Sequence, residues 1–292
     1  MNRKEFITKT LAAGAAASLG ASSLNAKNVK VKNSDYDRLM QQVGYNHLPN
    51  KKEETMNSVL HRADTRGHAD HGWLNSHHTF SFANYYNPER THFGVLRVLN
   101  DDRVAAGKGF GTHPHDNMEI ISIPLEGDLE HKDSMGNKAV IKQGDVQVMS
   151  AGTGIFHSEY NKNTDQEVKF LQIWVFPNAK NVSPRYDQIT LNTDQLNNQF
   201  HQILSPIPED DGVWIHQNAW FHMANFDKGV SDTYTFKDPK NGLYTFVLDG
   251  DIVVGKQHLS KRDGYGLWNT DNVTFEASTD AKVLLMEVPM SI

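Results

Sequence analysis

The sequence predicts an all-β protein built as two tandem β-barrels, and three observations carry that prediction. Beyond residue 58, short apolar or alternating runs are cut at regular intervals by Gly, Asn and Asp, the spacing of strands joined by tight turns. No long segment shows a helical period. The two halves also echo each other. Leu125-Glu-Gly-Asp-Leu129 is matched by Leu248-Asp-Gly-Asp-Ile252, and Lys142-Gln-Gly-Asp-Val-Gln-Val148 loosely by Lys261-Arg-Asp-Gly-Tyr-Gly-Leu267. Phe170-Leu-Gln-Ile-Trp-Val-Phe-Pro177 is matched by Val283-Leu-Leu-Met-Glu-Val-Pro289. The Gly-Asp pairs read as hairpin turns, and the echo implies duplication.

Taken in order, residues 1–26 read as an export signal. Arg3 and Lys4 precede the small-residue apolar run Leu11–Ala21, and Ser23–Ala26 offers a cleavage site. Asn2–Lys9 resembles a twin-arginine signal with Lys4 in place of the second arginine; a Sec signal is the alternative. The expectation is a periplasmic protein with no membrane association once the signal is removed, and a cytoplasmic one if this segment is not a signal. Residues 27–57 are polar and read as a linker, with one short helix near Asp35–Val43. The first barrel is expected over 58–180. Its strands include Gly94–Leu99, Glu119–Ile123, Lys138–Ile141, Val146–Met149 and Phe170–Phe176. A connector near Asn178–Asp187, containing Pro184, leads into a second barrel ending at residue 292, with the domain boundary at 180/181.

Composition narrows the function. The chain has 292 residues and a net charge of −6, which argues against a nucleic-acid footprint. It has no cysteine, so disulfides, thiolate ligands and cysteine nucleophiles are excluded. It has 15 histidines, and their spacing points to chemistry. His113-Pro114-His115 and His157-Ser158-Glu159 each place two metal-capable side chains at i and i+2, on one face of a strand. Two such strands facing each other would offer three imidazoles and a carboxylate to one divalent first-row transition metal. An octahedral ion so held keeps positions open for substrate or O2. Glu119 is the internal rival, because on a regular strand residues 113, 115, 117 and 119 all face one way. The second half has no such pairs, so its barrel is read as metal-free.

The remaining histidines are read structurally. His68-x-x-His71 and His77-His78 belong to a segment packing across the barrel through Trp73, Phe80 and Phe82. His131, beside Lys132-Asp133, is placed in a wet loop. Trp174 and Phe176 are assigned to the core. Phe110, Met118, Met149, Phe156 and Ile173 are the expected pocket lining, since apolar walls suit a flat aromatic ligand.

The chain resembles the cupin superfamily in two motifs. Gly107, His113, His115 and Glu119 match the first in spacing, with Gly127 one residue late. Gly144, Gly154, His157 and Asn161 fit the second, with Gly152 where a proline is usual. It resembles the bacterial pirins more specifically, through Arg62–Ala83, Gly109–Glu119, Glu130–Asn137 and Met149–Asn161; the likeness is faint in the second half. That resemblance implies a bicupin of two jelly-roll barrels, with one metal in the first on His113, His115, His157 and Glu159. Glu119 then becomes a neighbour that hydrogen-bonds a ligand. It also implies a quercetin 2,3-dioxygenase activity on a small phenolic substrate and O2, with loss of carbon monoxide and Glu159 as general base. Fe(II) is the expected ion, with Cu, Ni, Mn and Zn as alternatives, and the expected state is a monomer or weak dimer. Two other classes stand beside this reading. One is a non-catalytic pirin acting as a regulatory partner. The other is a cupin enzyme, such as an isomerase, on another small substrate; that pocket would need basic residues, and only Lys108 lies near the motif.

Overall fold

A β-strand sends alternate side chains to opposite faces of its sheet, and this parity organises the molecule. The structure, a computed structural model, describes residues 56–292. The expected export signal, and the linker with its helix near Asp35–Val43, lie outside those residues apart from the linker's last two positions. The described residues form strands and two short 3-10 turns, arranged as two barrels of equivalent topology.

Each barrel pairs a seven-stranded sheet with a four-stranded one. In the first barrel the long sheet runs Arg185–Thr190, Asp145–Ser150, Glu119–Glu126, Val168–Val175, Leu96–Val104, Leu74–His78, Gly67–Asp70. The short sheet runs Gly109–His115, Ile155–Asn161, Leu129–Asp133, Lys138–Ile141. The second barrel repeats this order, with Asn241–Asp249 and Ala281–Pro289 central in its long sheet. The internal echo is therefore structural. Gly127 and Gly250 occupy equivalent hairpins with φ of 75° and 74°. At Gly250 a Cβ would also lie 2.0 Å from the Asp280 carbonyl oxygen, so both the dihedral and the space demand glycine.

The boundary expected at 180/181 is crossed in both directions. Arg185–Thr190 pairs with Asp145–Ser150 and completes the first barrel's sheet, although it lies beyond the boundary. Asn57–His61, ahead of the first barrel, pairs with Gly264–Trp268 and completes the second. Each exchanged strand is latched by an equivalent aspartate. Asp145 accepts from Thr190 Oγ1 at 2.6 Å and Gln188 Nε2 at 2.8 Å. Asp263 accepts from the Ala63 and Ser260 amides at 2.8 and 3.0 Å, and from Arg62 at 2.6 Å.

The two long sheets pack against each other and make the largest apolar core. Leu99, Ile121, Val148 and Ile173 meet Phe221, Phe246, Leu284 and Met286 there. The interior of the second barrel is a separate filled core of Val247, Ile252, Tyr265, Phe275, Val283 and Leu285. The first barrel's interior is different. Cross-strand register aligns His78, Asn100, Gln172, Ser122, Gln147 and Gln188 in one row across six strands of its long sheet. Polar groups face inward where the second barrel has hydrocarbon.

Two predictions follow from this architecture. Asp263→Ala should lower unfolding free energy by about 2 kcal/mol. Most of that comes from the two backbone donors, because Arg62 is too exposed for its ion pair to count heavily. Urea melts test this, and an unchanged midpoint would count against the latch. His61 and His222 contribute to acid sensitivity outside the histidine cluster of the first barrel. Burial, then the Arg90 charge, lowers His61 from 6.5 to about 4; burial, then Lys237 and His201, lowers His222 to about 3. Unfolded, both titrate near 6.5, so below that pH the unfolded state binds more protons. Stability should be flat above pH 6.5 on their account and fall as pH drops toward 4. Melting the wild type and His222→Gln across this range checks it, the variant showing the shallower slope.

Candidate metal centre and pocket

The strands Gly109–His115 and Ile155–Asn161 run antiparallel, with His157 opposite His113 and Ile155 opposite His115. The register slips between His157 and Glu159, so Glu159 faces Phe110. Burial alternates along Ile155–Asn161, placing His157 and Glu159 inside and Phe156 outside. The i, i+2 reading thus holds on both strands. The rings of His113, His115 and His157 lie 4.4 to 4.9 Å apart between centroids, and one nitrogen from each falls within 4.8 Å of the others.

The donor set fits a metal. His113 Nδ1 lies 2.7 Å from the Gly111 carbonyl. A carbonyl only accepts, so Nδ1 carries a proton and Nε2 is the nitrogen left to face an ion. His157 is 2% exposed, and neither ring nitrogen has a hydrogen-bond partner. A buried imidazole with no partner is costly, and a coordinated ion would supply one. Burial, then His157 and His113, lowers His115 to about 4. Burial, then His113 and His131, lowers His157 to about 3. Both are neutral near pH 7, the form that ligates.

Glu159 is buried beside this cluster with both oxygens engaged. Ser122 Oγ donates to Oε1 at 3.1 Å and Gln172 Nε2 to Oε2 at 2.7 Å. The three imidazoles form the cluster by themselves, while Glu159 lines the same cavity. Glu119 does not join them. Asn117 takes φ of 44° and ends the strand at His115, so Glu119 starts the next strand with its side chain toward the second barrel. There it accepts from Ser150 Oγ at 2.8 Å and the His216 amide at 3.3 Å, and burial pushes it up to about 7. No hydrogen bond joins it to an imidazole, which corrects both roles expected for it.

A cavity of about 440 Å³ opens in front of the histidines, between the two sheets of the first barrel. The short sheet supplies His113, His115, Glu159 and Phe110; the long sheet supplies Ser76, His78, Asn100, Asp102, Gln172 and Trp174. Trp73 stands edge-on to Phe110 at 5.4 Å, and Trp174 edge-on to His115 at 4.9 Å. No lysine or arginine lines it among the described residues.

Of the expected lining residues, only Phe110 is there. Ile173 has the parity of Leu171 and Val175 and enters the core between the barrels. Met149 packs with Ile120, Ala151 and Ile155, and Met118 against them. Phe156 is 55% exposed on the outer face. Trp174, assigned to the core, packs against the Met149 cluster and also lines the cavity, while Phe176 packs against the core between the barrels. His131 is fully buried, not in a wet loop. It lies 3.2 Å from Asp133 and its ring is 5.3 Å from that of His157. Lys132 alone faces out, so parity separates it from its neighbours. The polar wall went unread, although Ser76-x-His78 and Asn100-x-Asp102 carry the same i, i+2 signature as the histidines.

Fold and site together define a bicupin whose first barrel carries a three-histidine cluster able to hold a metal ion. The chain belongs to the pirin family. The family profile described as Pirin matches residues 30–175, and one described as a quercetinase C-terminal cupin domain matches residues 202–288. The Escherichia coli K12 protein named quercetin 2,3-dioxygenase is 41% identical over 230 residues, covering 79% of this chain and 98% of its own. A pirin-like protein of Caulobacter vibrioides is 37% identical over 225 residues, 77% of this chain and 96% of its own. Among solved structures, the bacterial pirin YhhW from E. coli in complex with nickel(II) matches with a TM-score of 0.76 and 39% identity. That match covers 80% of this chain and 99% of YhhW.

His157→Ala should abolish metal binding by the purified protein, with circular dichroism confirming the fold, because the residue would supply one of three imidazole ligands. Stoichiometric metal retained by the variant, measured by plasma emission, would break the assignment.

Proposed function

We propose that this pirin is an oxidoreductase, a metal-dependent quercetin 2,3-dioxygenase that opens a flavonol ring with O2 and releases carbon monoxide. One observation carries the reading: a cluster of three imidazoles stands beside a buried carboxylate, with His113, His115 and Glu159 on the wall of a cavity flanked by Phe110, Trp73 and Trp174. The names of the relatives at about 40% identity support the substrate.

His113, His115 and His157 would hold the ion, with Glu159 as fourth ligand. A divalent metal there supplies acidification of a coordinated hydroxyl and open positions for O2. Fe(II) is the ion we propose, because its variable valence suits O2 chemistry; the nickel complex of YhhW is evidence about that relative.

The chain's own groups divide the remaining work. Glu159 accepts the proton of the substrate's 3-hydroxyl, exchanging one of its two present donors for that contact. Gln172 and Ser122 hold the carboxylate toward the cavity. Trp73, Phe110 and Trp174 give flat faces to an aromatic ligand and keep water from the reacting carbons. With no lysine or arginine on the walls, the cavity favours a neutral phenol over a small anionic substrate.

The test is quercetin turnover by Fe(II)-loaded and Ni(II)-loaded protein, with carbon monoxide detection. One carbon monoxide per quercetin consumed is expected. Glu159→Gln should cut turnover by roughly a hundredfold or more. Bound metal without turnover in the wild type would sink the activity and favour the regulatory role.

A further inference from the structure

We propose that Asp102, on the wall of the cavity formed by the long sheet, is a second recognition point. It accepts a hydrogen bond from a ligand hydroxyl other than the one held at the histidines. The proposal deepens the flavonol reading and rests on it for the ligand class.

Asp102 lies on Leu96–Val104, two positions beyond Asn100 and on the same inward face. It is 2% exposed and lines the cavity. Ser76 Oγ donates to its Oδ1. No protein donor reaches Oδ2 among the described residues, yet Oδ2 is not one of the sealed, unpartnered atoms. It opens on the cavity.

The neighbours make this carboxyl exceptional. His78 Nδ1 is paired with Asn100 Oδ1 at 2.9 Å, and Gln172 with Glu159. Of the two carboxyls that line the cavity, Glu159 has a donor on each oxygen, whereas Asp102 keeps an acceptor to spare. It has no cation either. Arg66 and Arg262 pair with Asp101, which points to the other face of the sheet. On the next strand its partner is Phe170, within the apolar cluster of Leu74, Val104 and Leu129. Burying a carboxylate in such surroundings without a cation is costly, and burial pushes this carboxyl up to about 7. A serine or asparagine would complete the bond to Ser76 more cheaply, so a purely structural role leaves the acid unexplained. A ligand donor at Oδ2 explains it.

Position completes the argument. The histidines stand on the short sheet and Asp102 on the long sheet, with the cavity between them. A flat ligand held at the histidines presents its remaining hydroxyls to the facing wall, where Asp102 has a free acceptor.

The experiment measures binding under nitrogen to metal-loaded protein by tryptophan quenching. Quercetin has hydroxyls on both ring systems, whereas 3-hydroxyflavone has only the metal-binding one. Asp102→Asn keeps shape and leaves a carbonyl for Ser76. It should weaken quercetin about tenfold or more, leave 3-hydroxyflavone within about twofold, and leave metal content unchanged. Equal weakening of both ligands, or of neither, overturns the proposal. Should Asp102→Asn fail to fold, Ser76→Ala loosens the same carboxyl and should show the same ligand-selective loss, smaller in size; a loss shared by both flavonols overturns the proposal there too. Binding without turnover in the wild type removes the dioxygenase activity alone and leaves the Asp102 comparison valid. A wild type that binds neither flavonol overturns both readings.

Discussion

In the first barrel one sheet serves two solvents at once. Its outward face presents Leu99, Ile121, Val148 and Ile173 to the core between the barrels. Its inward face carries an unbroken polar row from His78 to Gln188. Buried polar groups seek partners, and within the row His78 pairs with Asn100 while Ser122 and Gln172 reach across to Glu159. The site depends on this constraint. A barrel lined this way cannot collapse into hydrocarbon packing, and the cavity before the histidines is what remains. The second barrel shows the alternative, since the same topology with Val247, Val283 and Leu285 inward is filled.

That filled barrel still supports the site. It supplies the apolar partner without which the first barrel's outer face would lie in water. It also supplies the His216 amide that helps hold Glu119, and Arg262, which shares Asp101 with Arg66. Exchange of the outer strands, each latched by an aspartate, ties the barrels by hydrogen bonds as well as by packing. Stability of the metal centre is therefore a property of the whole pair of barrels.

Within the site, rigidity and freedom are distributed unevenly. His113 is oriented by a carbonyl and Glu159 by two donors, whereas His157 has no partner and Asp102 has a spare acceptor. His157 and Asp102 are thus the groups at which the proposed ion and the proposed ligand hydroxyl would be received.

The sequence by itself determined the all-β duplication and the i, i+2 pairs at His113/His115 and His157/Glu159, because turn glycines and strand parity are local properties. Parity says which residues share a face; it does not say what that face meets. Only the tertiary structure decided that Glu119 turns to the second barrel, since one left-handed residue, Asn117, separates it from the histidines. The same holds for burying His131 beside His157 and for sending Ile173 to the core and Trp174 to the cavity. Ser76 and Asp102 became visible as a site for the same reason. They come from strands distant in sequence from the histidines, and only closure of the barrel sets the two walls face to face.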